Sequence, residues 1–70
     1  MLPSAVQQAV MRKVDDMGMR LGSFPHHRLT GRLECRLRIG DYRVLYEFDQ
    51  LAGRIVLHYV GHRREIYQRL

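Results

Sequence analysis

The sequence has 70 residues, enough for a single domain with a small core. It carries 12 Lys and Arg against 7 Asp and Glu, a net charge of +5, and one cysteine. These values argue against an internal disulfide, a cysteine zinc site and a membrane-spanning helix, and the N-terminus lacks the pattern of a signal peptide, so a cytoplasmic protein is expected.

The basic residues are almost all arginine, with Lys13 as the one lysine. Arginine is suited to planar, bidentate binding of phosphate, so the charge points to nucleic acid or an acidic protein partner. Ordinary solvated surface charge is the alternative. The four histidines (His26, His27, His58 and His62) do not have the spacing of a metal motif, so neither a metal nor another cofactor is expected.

Residues 3–21 are predicted to form an amphipathic helix. Apolar side chains recur at helical spacing and should form one face: Val6, Val10, Val14, Met17 and Leu21. Ser4 followed by Gln7 fits a capping box with Ser4 as N-cap, and Gly22 is expected to end the helix. Residues 22–31 contain Gly and Pro breakers and are predicted to be a loop.

From residue 32 the pattern changes to the alternation of β-strands. Gly40 and Asp41 predict a tight hairpin turn, and residues 54–60 form a third, nearly continuous apolar strand that should lie more centrally. We therefore predict one α+β domain over residues 1–70. An N-terminal helix (3–21) packs on a small antiparallel three-stranded sheet (32–60), followed by a short C-terminal helix or tail (61–70).

The hairpin turn fixes the register of its two strands. Ile39 should pair with Tyr42, and Arg38 should lie directly opposite Arg43. One face then holds the expected core residues Leu33, Cys35, Leu37, Ile39, Tyr42, Val44, Tyr46 and Phe48. The other face holds Glu34, Arg36, Arg38, Arg43, Leu45 and Glu47. His58 would share this second face if Ile55, Leu57 and Tyr59 point to the core.

Like charges directly opposite each other destabilise a sheet, so the Arg38–Arg43 pair is unusual. Together with Arg36 it would make a phosphate clamp. The alternative is a salt-bridged surface in which these arginines pair with nearby carboxylates. The sequence alone leaves both interpretations open.

The segments LTGRLECRLRIGDYRVLYEFD and VGHRREIY resemble the RelE/ParE superfamily of type II toxin–antitoxin toxins, in particular its RelE-like branch. The resemblance covers about residues 29–67. It implies ribosome-dependent cleavage of mRNA in the ribosomal A site, and a cognate antitoxin that wraps the toxin. The family usually has a strand and a helix before the first helix seen here, so the resemblance also implies an N-terminally truncated toxin fold. Its uncovered sheet edge would then be open to homo-oligomer formation.

The resemblance also suggests roles for individual residues. By position it places Arg36, Arg38, Arg43, Arg63 and Tyr67 around the scissile phosphate. We predict a catalytic group of Arg38, Arg43, Arg63, Tyr67 and His62, and RNA-binding roles for Arg36, Arg28, Arg32 and Arg64. RelE has lysines at the positions of Arg36 and Arg38, and an arginine side chain cannot act as a general base. The base would then be Tyr67, His62 or His58. A non-catalytic module that binds an antitoxin or a gyrase-type protein target is the alternative function.

Overall fold

The computed structural model describes residues 2–65. It is an α+β fold in which one helix packs on one face of an antiparallel sheet. The elements, in chain order, are α1 (Ser4–Met19), β1 (His27–Arg28), β2 (Cys35–Ile39), β3 (Tyr42–Asp49) and β4 (Arg54–His62). The predicted fold class is therefore confirmed. Within the described residues, no helix is long and apolar enough to cross a membrane.

Helix α1 is shorter than predicted and begins differently. Pro3 is the N-cap, with backbone angles outside the helical region and no side-chain cap. Its carbonyl accepts hydrogen bonds from the amides of Val6 and Gln7, at 3.0 and 3.1 Å. The Gln7 side chain donates instead to the carbonyl of Leu2, so the predicted capping box is wrong. The helix ends at Met19 because the chain turns at Arg20, before Gly22 is reached.

The sheet has four strands in the order β1-β2-β3-β4 rather than the predicted three. The additional strand lies within the segment that was predicted to be a loop. It is only two residues long, and it pairs with β2 through His27 opposite Arg36 and Arg28 opposite Cys35. Residues 22–31 contain too many breakers to show strand alternation, so pairing with β2 rather than local propensity forms β1.

The hairpin register is confirmed. Ile39 pairs with Tyr42 and Arg38 pairs with Arg43, around a turn in which Gly40 has φ of +57°. That left-handed conformation favours glycine because it has no Cβ. Every residue of β2 therefore faces the side of the sheet that the alternation predicts.

Strand β4 lies at the edge of the sheet, so the prediction that it is central is wrong. Between Leu45 and Tyr46 the register shifts: Leu45 pairs with Tyr59, but Tyr46 pairs with Leu57, which leaves His58 as the extra residue of a bulge. Tyr59 consequently lies on the same face as Leu45 and not in the core, where alternation would have placed it.

The core lies between α1 and one face of the sheet. Its buried members are Val10, Met17, Leu21, Cys35, Leu37, Val44 and Tyr46. Ile55 and Val60 of β4 pack against this cluster. Leu33, which was expected on the core face, is 68% exposed because β2 begins only at Cys35. The opposite face is not covered by α1, and it carries the arginines.

Candidate functional site

A basic depression of about 360 Å³ lies on the sheet face that α1 leaves open. It is lined by His27, Arg36, Arg38 and Arg43, and we call it the arginine cleft. The strand register explains the convergence, because His27 lies opposite Arg36 and Arg38 lies opposite Arg43. Three neighbouring strands thus each contribute basic side chains to one surface.

Two carboxylates on or next to the strands that form this surface contact other partners. Glu34 lies 3.7 Å from the guanidinium of Arg32, and Glu47 lies 2.6 Å from Nε2 of His58. Within residues 2–65, neither Arg36 nor Arg38 forms an ion pair. The salt-bridged alternative for these arginines is therefore wrong in the described part of the chain, and an uncompensated positive cluster remains.

Arg43 is the most constrained member of the arginine cleft. It is only 9% exposed, although the alternation places it on the face opposite the core. Its Nη1 donates to the carbonyls of Gly40 and Tyr42, both at 3.1 Å. These bonds fix the guanidinium and tie the hairpin turn to β3. Arg43 therefore has a structural function in addition to any function in binding.

His27 was not among the candidate site residues, because the sequence gives no reason to place it in a strand. Its position depends on the preceding residue, His26, which anchors β1. Nε2 of His26 lies 2.9 Å from the carbonyl of Leu21, and Nδ1 lies 2.6 Å from the hydroxyl of Tyr46. The His26 ring also stacks on Phe48 with centroids 3.8 Å apart.

The His26–Tyr46 contact has a defined direction in the neutral imidazole. A carbonyl oxygen only accepts, so Nε2 of His26 donates to Leu21 and Nδ1 accepts from the Tyr46 hydroxyl. Burial, together with the neighbouring thiol of Cys35, raises the pKa of Tyr46 to about 12. The phenol is thus a neutral donor that holds β1 in place.

The described C-terminal residues of the predicted site do not line the arginine cleft. The Arg63 amide donates to the carbonyl of Asp41 at 2.8 Å, which brings this segment to the hairpin turn. His62 pairs with Tyr42 and makes an edge contact with its ring, so it lies on the face opposite the arginine cleft. Arg64 is exposed, and its amide lies 3.3 Å from the ring of His62. Tyr67 lies outside the described residues.

Two further predicted RNA-binding residues are not part of the arginine cleft. Arg28 pairs with Cys35, on the core face, and its guanidinium lies 6.0 Å from the ring centre of Phe48. Arg32 lies in the loop before β2 and contacts Glu34.

A phenol also lies on the face of the arginine cleft. The bulge at His58 turns Tyr59 to this side, where its ring packs closely over Gly61. A Cβ atom added at Gly61 would lie 2.5 Å from the phenol oxygen. The Tyr59 hydroxyl donates to Glu65 at 3.2 Å. Gly61 pairs with Arg43, so the phenol borders the arginines. Among residues 2–65, no group of three potential ligands could hold a metal ion.

Residues 3–67 match the sequence model of the family described as the ParE toxin of the type II toxin-antitoxin system, parDE. The chain belongs to the ParE toxin family. This places it in the RelE/ParE superfamily, as the resemblance implied. No curated protein sequence matches the chain.

A solved structure supports the same fold. A chain in the crystal structure of the RelB-RelE antitoxin-toxin complex from Methanococcus jannaschii superposes with a TM-score of 0.71. The two sequences are 18% identical, and the match covers 99% of this ParE-family chain and 84% of that chain. At this identity the likeness shows the fold alone.

Proposed function

We propose that this ParE-family chain is a toxin that cleaves mRNA on the ribosome. The observation that carries the proposal is the arginine cleft, where Arg36, Arg38 and Arg43 converge without a carboxylate in the lining. Guanidinium groups bind phosphate in a bidentate manner, and charge-assisted bonds of this kind are the stronger class of hydrogen bond. An RNA backbone is the ligand that best matches such a surface.

The proposed reaction is attack of an RNA 2′-hydroxyl on the adjacent phosphate. Negative charge builds up on the phosphate oxygens as the new bond forms, and fixed positive groups lower the barrier most where charge develops. Arg43 is suited to this task, because its bonds to two carbonyls hold it in place before substrate arrives. Arg36 and Arg38 are exposed and would bind the flanking backbone.

We also propose an antitoxin as the protein partner. A solved structure with the same fold is a chain of an antitoxin-toxin complex, and this chain belongs to a toxin–antitoxin family. The net charge of +5 favours an acidic partner segment. Among residues 2–65, no strand pairs with the outer edge of β4. This edge offers backbone groups either to that partner or to a second copy of the chain, so the homo-oligomer is the competing proposal for it.

A second candidate function is inhibition of a protein target, as in the gyrase-poisoning branch of the superfamily. The family match favours it, because the matching sequence model is that of ParE toxins. In this case the arginine cleft would bind acidic protein side chains rather than RNA.

Inducible expression in a bacterium separates these functions. Growth and mRNA 5′ ends are followed for the wild type, for Arg38→Ala in the arginine cleft, and for Arg12→Ala as the matched control. Arg12 is an exposed arginine on α1, which covers the other side of the sheet. We expect growth arrest with new mRNA ends for the wild type and for Arg12→Ala, and loss of both effects for Arg38→Ala.

The other outcomes are equally specific. Arrest without new mRNA ends would replace the nuclease with a protein-targeting toxin. Soluble wild-type protein without arrest would support a non-catalytic module that binds an antitoxin or another protein. Arrest and cleavage that persist in Arg38→Ala would show that the arginine cleft is not the site.

A further inference from the structure

The arginine cleft provides positive charge, but its arginines cannot accept a proton. Guanidinium groups stay protonated in proteins, so Arg36, Arg38 and Arg43 cannot take the proton of an attacking 2′-hydroxyl. A nuclease built on this cleft needs another group for that transfer, and a side chain that titrates near neutral pH is best matched to it.

The other described histidines contact groups outside the arginine cleft. Both ring nitrogens of His26 have partners within the fold. Nε2 of His58 is 2.6 Å from Glu47, and His62 pairs with Tyr42 on the opposite face of the sheet. None of these three rings lines the arginine cleft.

His27 differs from them on each point. It lines the arginine cleft, and its position opposite Arg36 sets it on the same face as the arginines. Its side chain is exposed and has no hydrogen-bond partner within residues 2–65. The anchored ring of His26 next to it fixes the backbone of β1, so the Cα of His27 has a defined position beside the arginines.

We propose that His27 is the general base of the arginine cleft; this assignment rests on the proposed ribonuclease function. The guanidinium groups that face His27, those of Arg36 and Arg38 on β2 and Arg43 on β3, hold the scissile phosphate beside the imidazole. The neutral ring takes the 2′-hydroxyl proton while the 2′ oxygen bonds to phosphorus. The bond from phosphorus to the 5′ oxygen breaks, and that oxygen takes a proton from water. The imidazolium then returns its proton to the hydroxide left behind, so the products are a 2′,3′-cyclic phosphate and a 5′-hydroxyl.

The test is single-turnover cleavage of a short mRNA on bacterial ribosomes, with the full chain as wild type, His27→Gln and His27→Ala. We expect His27→Gln to lower the cleavage rate about 100-fold or more, the range for loss of a positioned base. Affinity is measured with the same mRNA carrying a 2′-deoxy nucleotide at the cleavage point, which prevents cleavage. His27→Gln should change this affinity less than threefold, as expected for the loss of one surface contact. The wild-type rate should rise with pH, and this rise should vanish in His27→Gln.

Added imidazole provides a readout that a purely structural defect would not show. It should restore part of the lost rate in His27→Ala, where a space is left for it, and none in Arg38→Ala. His58→Gln tests the competing assignment, and loss of the pH-dependent rise in that variant but not in His27→Gln would overturn ours.

The two proposals fail in different ways. Cleavage by the wild type with an unchanged His27→Gln would overturn the His27 assignment alone. Absence of cleavage by the wild type under any of these conditions would overturn both the assignment and the proposed function.

Discussion

Replacing Tyr46 with phenylalanine removes one oxygen atom from the most buried aromatic residue of the fold. Tyr46 is 0% exposed, and its hydroxyl donates to Nδ1 of His26 over 2.6 Å. The ring itself is kept, so no cavity larger than the hydroxyl forms. The variant therefore tests the hydrogen bond that joins β3 to His26, the residue that anchors β1.

The expected loss of folding stability follows from Nδ1 of His26, which is left without its hydrogen-bond donor. Nδ1 of His26 loses its donor while the half-buried ring remains enclosed by Phe24 and Phe48. Leaving a buried acceptor without a partner costs about 1–3 kcal/mol. Because His26 is not fully buried, we expect roughly 1–2 kcal/mol of lost stability, or a Tm lower by roughly 4–16 °C in a domain of this size.

Thermal and urea unfolding of Tyr46→Phe and of Tyr42→Phe measure this effect. Tyr42 is half-buried, and its hydroxyl has no hydrogen-bond partner in the described part of the chain, so Tyr42→Phe should stay within about 0.5 kcal/mol of the wild type. Equal stability of the two variants would refute the His26–Tyr46 bond as the anchor of β1.

The same variant has a distinct pH signature. Burial raises the pKa of Tyr46 to about 12, above the value of about 10 in the unfolded chain. The neutral phenol therefore stabilises the fold fully below pH 10, and this contribution is lost as the pH rises from 10 to about 12. The stability difference between wild type and Tyr46→Phe should shrink over that interval. A constant difference would contradict the burial of the phenol.

Further substitutions test the sheet and the cleft. Val44→Asp should unfold the domain, because it puts a charge at a fully buried position, at a cost of about 3–5 kcal/mol. The control Val56→Asp changes a position that is 45% exposed, and circular dichroism should show that it remains folded. Arg38→Ala should stabilise the fold by up to about 0.5 kcal/mol at low salt, since it removes a like charge opposite Arg43. The same variant should lower the slope of log RNA affinity against log salt concentration by about one, the value for one lost phosphate contact. Arg43→Ala should cost about 1.5–3 kcal/mol in urea unfolding, because two charged hydrogen bonds to carbonyls are lost. Unchanged stability of Arg43→Ala would show that these bonds contribute nothing.

The hairpin could be predicted in full because its register depends only on local sequence. Two turn residues with Gly40 at positive φ determine every cross-strand pair of β2 and β3, including Arg38 with Arg43. Strand β4 could not be predicted to the same level. Its bulge at His58 changes which face the following residues occupy, and nothing in an apolar run signals such a shift.

The candidate site shows the same division between local and non-local information. Arg36, Arg38 and Arg43 were found from alternation within the hairpin. The burial of Arg43 was missed, because the carbonyls that bind it belong to the backbone and have no sequence signature. His27 was missed because its place in the cleft depends on pairing with a strand eight residues further along the chain and on the anchoring of His26.

The Arg38–Arg43 pair has a further consequence through mass action. Both guanidinium groups are held on one surface only in the folded state, where they repel each other. In the unfolded chain the two groups separate, so an anion cannot bind both of them at one site. Any ligand that prefers the native state shifts the folding equilibrium toward it in proportion to its occupancy. A phosphate-bearing ligand that binds in the cleft would therefore both neutralise this repulsion and raise the stability of the fold.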